Sequence, residues 1–269
     1  RMKEIINEVK KKLTKEKART DLWNMWLKSF HQPAEKELMR AANAYLRGAA
    51  KRYQDRAEKN VKENKTKGII DFASLMDTAG EESLVAQIIG SVWRKWYYVS
   101  GGNALKDILR LAGLPDQEVK LSDTLANEYI NTLARQIVRT QESAVTKIIE
   151  NGLMEGLSVA SIGKNIEAAT AFSAPRALRI AQTESTRAAN SGTQQAYSDA
   201  AAEGIQVQKQ WLSARDSSVR DSHAYLDGTV VGVNENFVSE SGAEAPSPGS
   251  FGVPSEDINC RCTIIPLVD

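Results

Sequence analysis

Through most of the first 200 residues, apolar side chains recur at three- and four-residue spacing, the pattern of helices that bury one face. Ile5, Ile6, Val9 and Leu13 mark such a face over residues 2–19. Trp23, Trp26, Leu27 and Phe30 mark a second, behind an N-capping Asp21. His31-Gln32-Pro33 then breaks the pattern, and Pro33 suits the first turn of a new helix. From Ala34 to Asn64 the spacing predicts a long helix whose apolar stripe (Leu38, Ala41, Ala42, Tyr45, Leu46, Ala49, Tyr53) is narrow. A helix of ~30 residues spans ~45 Å, more than a compact domain usually needs. The expectation is that it projects from the body or lines another subunit.

After Gly68 the helical spacing resumes over Ile69–Met76 and over Ser83–Val99, where Leu84, Ile88, Val92, Trp93, Trp96 and Tyr97 are in register and Gly101-Gly102 reads as the stop. The Trp93/Trp96/Tyr97 cluster beside Arg94 and Lys95 has the composition of a nucleic-acid stacking platform, but its periodicity favours core or interface. Short helices are expected over Ala104–Ala112, ending at Gly113-Leu-Pro, and after Ser158. A long one runs from a Ser122 cap to Glu150, ended by Asn151-Gly152. The helix that opens at Ser173-Ala-Pro175 is too rich in Thr, Ser and Asn for a plain surface helix. Gln182, Glu184, Arg187 and Asn190 are expected to face a neighbouring module and to bridge to it.

Beyond Gly204 the period shortens towards two. Val207–Trp211, Thr229–Val233, Asn236–Val238 and Thr263–Leu267 read as strands. Between them lies a loop from Ser239 to Asp257 that carries Pro246, Pro248 and Pro254; a loop of that length inside a compact domain is usually functional or mobile. The pattern therefore predicts an α+β protein. A mostly helical N-terminal region, residues 1–172, serves scaffolding and docking, and a small sheet-containing C-terminal module occupies 173–269.

Charge changes this picture in one respect. Residues 1–70 hold 19 Lys and Arg against 9 Asp and Glu, and the rest of the chain 16 against 25. A basic arm on an acidic body suggests a polyanion or an acidic protein face as partner, against the plainer reading of a solvated helix surface. No apolar run is long enough for a membrane span. The opening R-M-K-E-I-I-N-E-V-K-K-K lacks the apolar centre of a secretory signal, so the chain is expected to act in a reducing compartment.

The candidate chemistry is concentrated between Trp211 and Cys262. Cys260 and Cys262, the two cysteines of the chain, are too close in sequence for an unstrained mutual disulfide. With His223 they make three soft or borderline ligands, and Asp221 or Asp227 could complete a tetrahedral zinc site. The alternative is a His223 bonded to a loop carbonyl and two cysteines packed as small apolar groups. Paired metal-binding carboxylates at Asp216 and Asp221 would suit a metal-dependent hydrolase or nuclease acting on nucleic acid, but no third acid stands at a telling spacing. Ser222 beside His223 does not by itself place a base within reach. Arg215, Arg220 and Arg261 can instead tie Asp216, Asp221, Asp227 and Asp257 into a network that fixes the loops.

The ordered set A-Q-T-E-S-T-R-A-A-N (181–190), W-L-S-A-R-D (211–216), R-D-S-H-A-Y-L-D-G (220–228), Phe237 and I-N-C-R-C (258–262) resembles the phage Mu F-like minor head proteins, also called head morphogenesis proteins, over about residues 175–269. The resemblance implies a virion structural protein inside the phage head, present in the host cytoplasm during assembly. Its implied partners are the portal protein, the major capsid protein, or both, and packaged double-stranded DNA bound without sequence preference. Its implied role is in head morphogenesis and in DNA packaging or ejection. Some relatives carry a toxin domain after this module; no such activity is expected of the residues up to Asp269. The resemblance names no catalytic residue. Read from the residues themselves, the structural motif and polar network fall on Trp211, Arg215, Asp216, Arg220, His223, Asp227, Gly228, Asn259 and Arg261, with zinc at His223, Cys260 and Cys262 as the one cofactor to consider.

Overall fold

The computed structural model describes residues 15–64, 75–116 and 121–268. Most of the helices expected over 2–19 and 69–76, and with them the first part of the basic arm, lie outside these residues; 15–19 and 75–76 are helical. The chain forms two compact units, each drawn from segments far apart in sequence. Of the described residues, one comprises 15–35, 95–116, 121–122 and 182–268; the other comprises 36–64, 75–94 and 123–181. No helix among the described residues is long and apolar enough to cross a membrane.

The helical elements are α1 (15–26), α2 (Gln32–Asn64), α3 (Thr78–Val85), α4 (Ser91–Leu111), α5 (Asp123–Met154), α6 (Val159–Glu167) and α7 (Ala174–Ala202). A π turn at Leu27–His31 joins α1 to α2, and another at Ala86–Gly90 joins α3 to α4. The first of these corrects the break expected at His31-Gln32-Pro33. Proline has no N–H and its ring crowds the carbonyl four residues back. Widening the preceding turn, with Gln32 N–H reaching Leu27 O, lets the helical path continue into Pro33.

His31 in that turn is buried, and its ring stands 5.4 Å from that of Trp26. Burial, reinforced by the positive charge of Arg261, lowers its pKa to about 4, and its nearest acid is Glu35, 3.5 Å away. The folded protein thus resists a proton that the unfolded chain accepts near pH 6.5. The stability contributed by neutral His31 is complete above that pH and is lost as pH falls towards 4. We expect the loss to be about 3 kcal/mol, and to vanish from the pH profile of denaturation midpoints in His31→Gln. A variant with the wild-type profile would count against it.

Gly101-Gly102 does not stop α4, which runs to Leu111. The glycines serve a close helix crossing instead. A β-carbon on Gly101 would lie 2.7 Å from Gly192 O, and one on Gly192 would overlap the Tyr97 carbonyl. Ser100 and Thr193 hydroxyls meet across the same crossing at 3.0 Å. Gly192→Ala must push two backbones apart, and we expect it to cost about 1–3 kcal/mol or more, read as a lowered urea midpoint. The true stop is Gly113 (φ 68), where Leu114 N–H bonds Leu109 O and Gly113 N–H bonds Arg110 O. Gly152 likewise lies inside α5, packed on Ile162, and α5 ends at Gly156 (φ 66).

In the all-helical unit the α2 stripe is covered. Leu38, Tyr45, Leu46, Ala49 and Tyr53 are buried, which corrects the expectation of a projecting stripe. Trp93 is buried too and stacks on Tyr129 at 4.8 Å, so it is core rather than a stacking platform for nucleic acid. At the centre sits Glu81, fully buried. Arg52 donates to both its oxygens (2.8 and 2.7 Å), Arg56 to Oε1 (2.9 Å) and Tyr45 hydroxyl to Oε2 (3.1 Å). Burial opposes its ionisation, but the two guanidinium groups outweigh that and hold its carboxyl below the ordinary range.

The other unit contains the sheets. Its strands are β1 (Val207–Leu212), β2 (Val230–Gly232), β3 (Phe237–Val238), β4 (Glu244–Ala245) and β5 (Thr263–Val268). Strand β1 lies between β2 and β5, antiparallel to both, with Trp211 opposite Ile264 and Gln210 opposite Val230. Strands β3 and β4 form a separate hairpin. Two short helices, α8 (Asp221–Leu226) and α9 (Pro254–Asp257), interrupt the loops. Trp23 and Trp26 of α1 pack with Ala189, Leu212 and Ala214, bringing α1, α7 and β1 together. The fold is α+β, as the periodicities predict.

Candidate functional site: a buried His/Cys/Cys centre

One face of α7 anchors the segment that leads into β5. Thr186 hydroxyl donates to Cys260 O, Asn190 Nδ2 to Cys262 O (2.9 Å), and Thr263 hydroxyl to Asn190 Oδ1 (3.0 Å). Asn259 N–H donates to Thr183 Oγ1 (3.2 Å), and Asn259 itself takes a left-handed conformation (φ 57). Arg187 donates to Glu184 (2.6 Å), to Asp257 (3.1 Å) and to Gly249 O. Asp257 in turn receives the N–H groups of Phe251 (3.0 Å) and Gly252 (2.8 Å). The helix thus holds the long loop closed from beneath.

Cys260 and Cys262 flank Arg261 just before β5, and their burial alternates as it does for side chains two apart on a strand. Both cysteines turn inward and are buried, while Arg261 turns away and pairs with Asp216 (2.7 Å). The inward face meets α8. Cys260 Sγ lies 3.6 Å and Cys262 Sγ 3.5 Å from His223 Nδ1. The structure therefore brings together the three residues named for zinc; their donor atoms all lie within 4.8 Å of one another. Neither Asp221, which is exposed, nor Asp227 belongs to that group.

The far ring nitrogen, His223 Nε2, is 3.1 Å from Glu256 Oε2, close enough for an ion pair although not aligned as a full hydrogen bond. Glu256 is fixed by Ser222 (2.9 Å) and Ser241 (2.8 Å) hydroxyls. Burial opposes its charge, but those hydroxyls and His223 hold its carboxyl below the usual range. Burial also pushes both thiols up. For Cys260 the contacts with Cys262 and His223 overcome it and bring the pKa to about 5, whereas Cys262 beside that sulfur stays raised. Aromatic rings wall the centre: Trp211 meets His223 edge-on at 5.5 Å, and Phe251 stacks on the imidazole at 5.9 Å.

The other singled-out residues surround this centre. Asp227 joins Arg215 (2.9 Å), Arg19 (2.8 Å) and Ser213 N–H (2.8 Å). Arg220 spends its guanidinium on the carbonyls of Glu256 and Ile258, not on Asp221. Gly228 (φ 84) donates its N–H to Trp211 O at 2.9 Å, a turn a side chain would strain. Asp216 and Asp227, acids considered for metal chemistry, are both neutralised by arginine. Sequence reasoning missed Thr183, Thr186 and Lys209. Lys209 is fully buried in β1 and donates to Gln194 Oε1 (2.9 Å) and Pro246 O (2.8 Å). The i, i+3, i+7 spacing of Thr183, Thr186 and Asn190 was the available signal for the first two.

These features define a small antiparallel module seated on one long polar-faced helix, closed around a His/Cys/Cys centre by charged cross-links. Residues 143–265 match the family described as Phage Mu protein F like protein, a match that begins about thirty residues before the motifs legible by eye. Over that region the chain is similar to the phage Mu F-like family. Among curated proteins, NAD(+)--arginine ADP-ribosyltransferase EFV of Enterococcus faecalis is 41% identical over 162 residues, which cover 60% of this chain and 31% of that protein. Minor head protein GP7 of Bacillus phage SPP1 is 30% identical over 141 residues, covering 51% of this chain and 46% of that one. YqbB of Bacillus subtilis is 27% identical over 166 residues, covering 57% and 53%. The chain thus spans between about a third and a half of the length of these relatives. No solved structure gives a significant match.

Proposed function

We propose that the protein is a minor structural component of a phage head. The observation that carries this reading is the phage Mu F-like region over 143–265, together with its likeness to the SPP1 minor head protein. The geometry is in keeping with it. The acids and arginines of the motif pair with one another or with backbone, so they fix a surface. In this reading the protein lies inside the virion, after a stage in the host cytoplasm. It contacts the portal protein, the major capsid protein or both, and acts in head assembly and in DNA packaging or ejection. The transferase name belongs to a relative of which the match covers 31%, and we do not carry it over.

The test is the protein content of purified heads, by mass spectrometry, with cross-linking to portal and major capsid protein. Recovery in heads at low, fixed copy number with portal cross-links is the expected result. Recovery only in the soluble lysate of infected cells would overturn the reading. Contact with packaged DNA carries its own prediction. The full chain should shift unrelated duplexes equally, and affinity should fall steeply with salt as phosphate counterions are released. Affinity that stays level from low to physiological salt would assign the basic N-terminal residues to a protein partner.

A further inference from the structure

We propose that Cys260 Sγ, Cys262 Sγ and His223 Nδ1 hold a zinc ion that staples α8 to the segment entering β5. The two distances from imidazole nitrogen to sulfur are those a tetrahedral ion requires. With Zn–S near 2.3 Å and Zn–N near 2.05 Å, a tetrahedral angle separates sulfur from nitrogen by about 3.6 Å. Here the two separations are 3.6 and 3.5 Å. The two sulfurs would stand about 3.8 Å apart on the same geometry, and all three donors lie within 4.8 Å of one another. Closing the triangle therefore asks for side-chain adjustment only.

The surroundings suit a metal ligand set. Glu256 faces His223 Nε2 at 3.1 Å, which favours the tautomer with the proton on Nε2 and leaves the Nδ1 lone pair directed at the sulfurs. A carboxylate behind a ligating imidazole is the usual outer support of a zinc site, and this one is itself held by Ser222 and Ser241. Cys262 N–H points at Cys260 Sγ at 3.5 Å, a contact that favours thiolate. Two thiolates and an imidazole select zinc over magnesium, calcium or manganese, which prefer oxygen. The fourth vertex falls to water. Aromatic walls and the position of Glu256, on the far side of the imidazole, make the ion a structural one rather than a hydrolytic centre. This inference stands on the centre itself and does not depend on the phage-head reading.

The test uses the full chain, expressed in zinc-supplemented medium and purified under reducing conditions without chelator. About one zinc per chain by mass spectrometry of the metal is expected. Replacing it with cobalt should give intense thiolate-to-cobalt absorption and the visible bands of a tetrahedral ion. Cys262→Ser and His223→Gln should bring zinc to background. Because either variant could fail to fold, Glu256→Gln is the companion: it leaves the ligands in place and should weaken zinc about 10–100-fold, measured by competition with a chelating dye. Wild-type protein that is folded, carries less than a tenth of an equivalent of zinc, shows no cobalt–thiolate absorption and offers two freely alkylated thiols would overturn the proposal. The centre would then be a thiol–imidazole pair only. Zinc retained undiminished in folded Cys262→Ser and His223→Gln would place the ion elsewhere and overturn it equally.

Discussion

Trp211→Ala is expected to lower the unfolding free energy by about 3–5 kcal/mol, the usual cost of deleting a large ring from a core that cannot collapse around the gap. Trp211 is fully buried in the central strand β1. Its ring meets Phe237 edge-on at 5.1 Å, His223 at 5.5 Å and Phe251 at 5.9 Å. The loss therefore reaches the β3–β4 hairpin, α8 and the long loop together. Trp211→Phe keeps part of the wall and should cost distinctly less. Hydrogen exchange resolved by segment is the suitable measurement, because it reads the sheet-containing unit separately. Amides of 207–212 and 263–268 should lose protection in the alanine variant. A destabilisation below about 1 kcal/mol would mean that neighbouring rings refill the space.

The second large effect belongs to the helical unit. Glu81→Ala leaves Arg52 and Arg56 without the carboxylate that both of them grip, and breaking such a buried pair costs about 3–5 kcal/mol. The two arginine side chains retain 33% and 20% exposure, so they regain some hydration, and we expect a value near the lower end. Tyr45 also loses one of its two hydroxyl partners, keeping Gln141 at 2.8 Å. A double-mutant cycle with Arg52→Ala separates the pair from the rest: the coupling should exceed 1 kcal/mol, as for residues in one network. Additive losses would show that the arginines are held by solvent and backbone alone.

The elements that the sequence reveals are those with a long enough period to read. Four strand ranges fall within a residue or two of those observed, because alternation over Val207–Leu212 and Thr263–Val268 coincides with pairing on a half-buried sheet. The Ser158 cap is legible too, since its side chain accepts the Ser161 N–H at 3.1 Å as a cap should. Helices α8 and α9, of six and four residues, are too short to show a period. Glycine misled twice for one reason. Gly101 and Gly152 are needed for the approach of another helix, a requirement set by residues 192 and 162 and invisible locally. The cluster itself was legible as a set of residue types. Its geometry was not, because Glu256, Thr186 and Asn190 reach the centre through pairings across tens of residues.

The packing of Trp23 and Trp26 against Ala189, Leu212 and Ala214 also sets an order of events on the ribosome. The tryptophan face emerges early, and the surface that covers it is encoded almost two hundred codons later. At about 5–20 residues per second, that interval is roughly 10–40 s. For that time the nascent chain carries an uncovered aromatic stripe, whatever the helical unit has achieved meanwhile. Chaperone binding to stalled nascent chains should therefore be strong at lengths short of residue 212 and fall once β1 and Ala214 have cleared the exit tunnel.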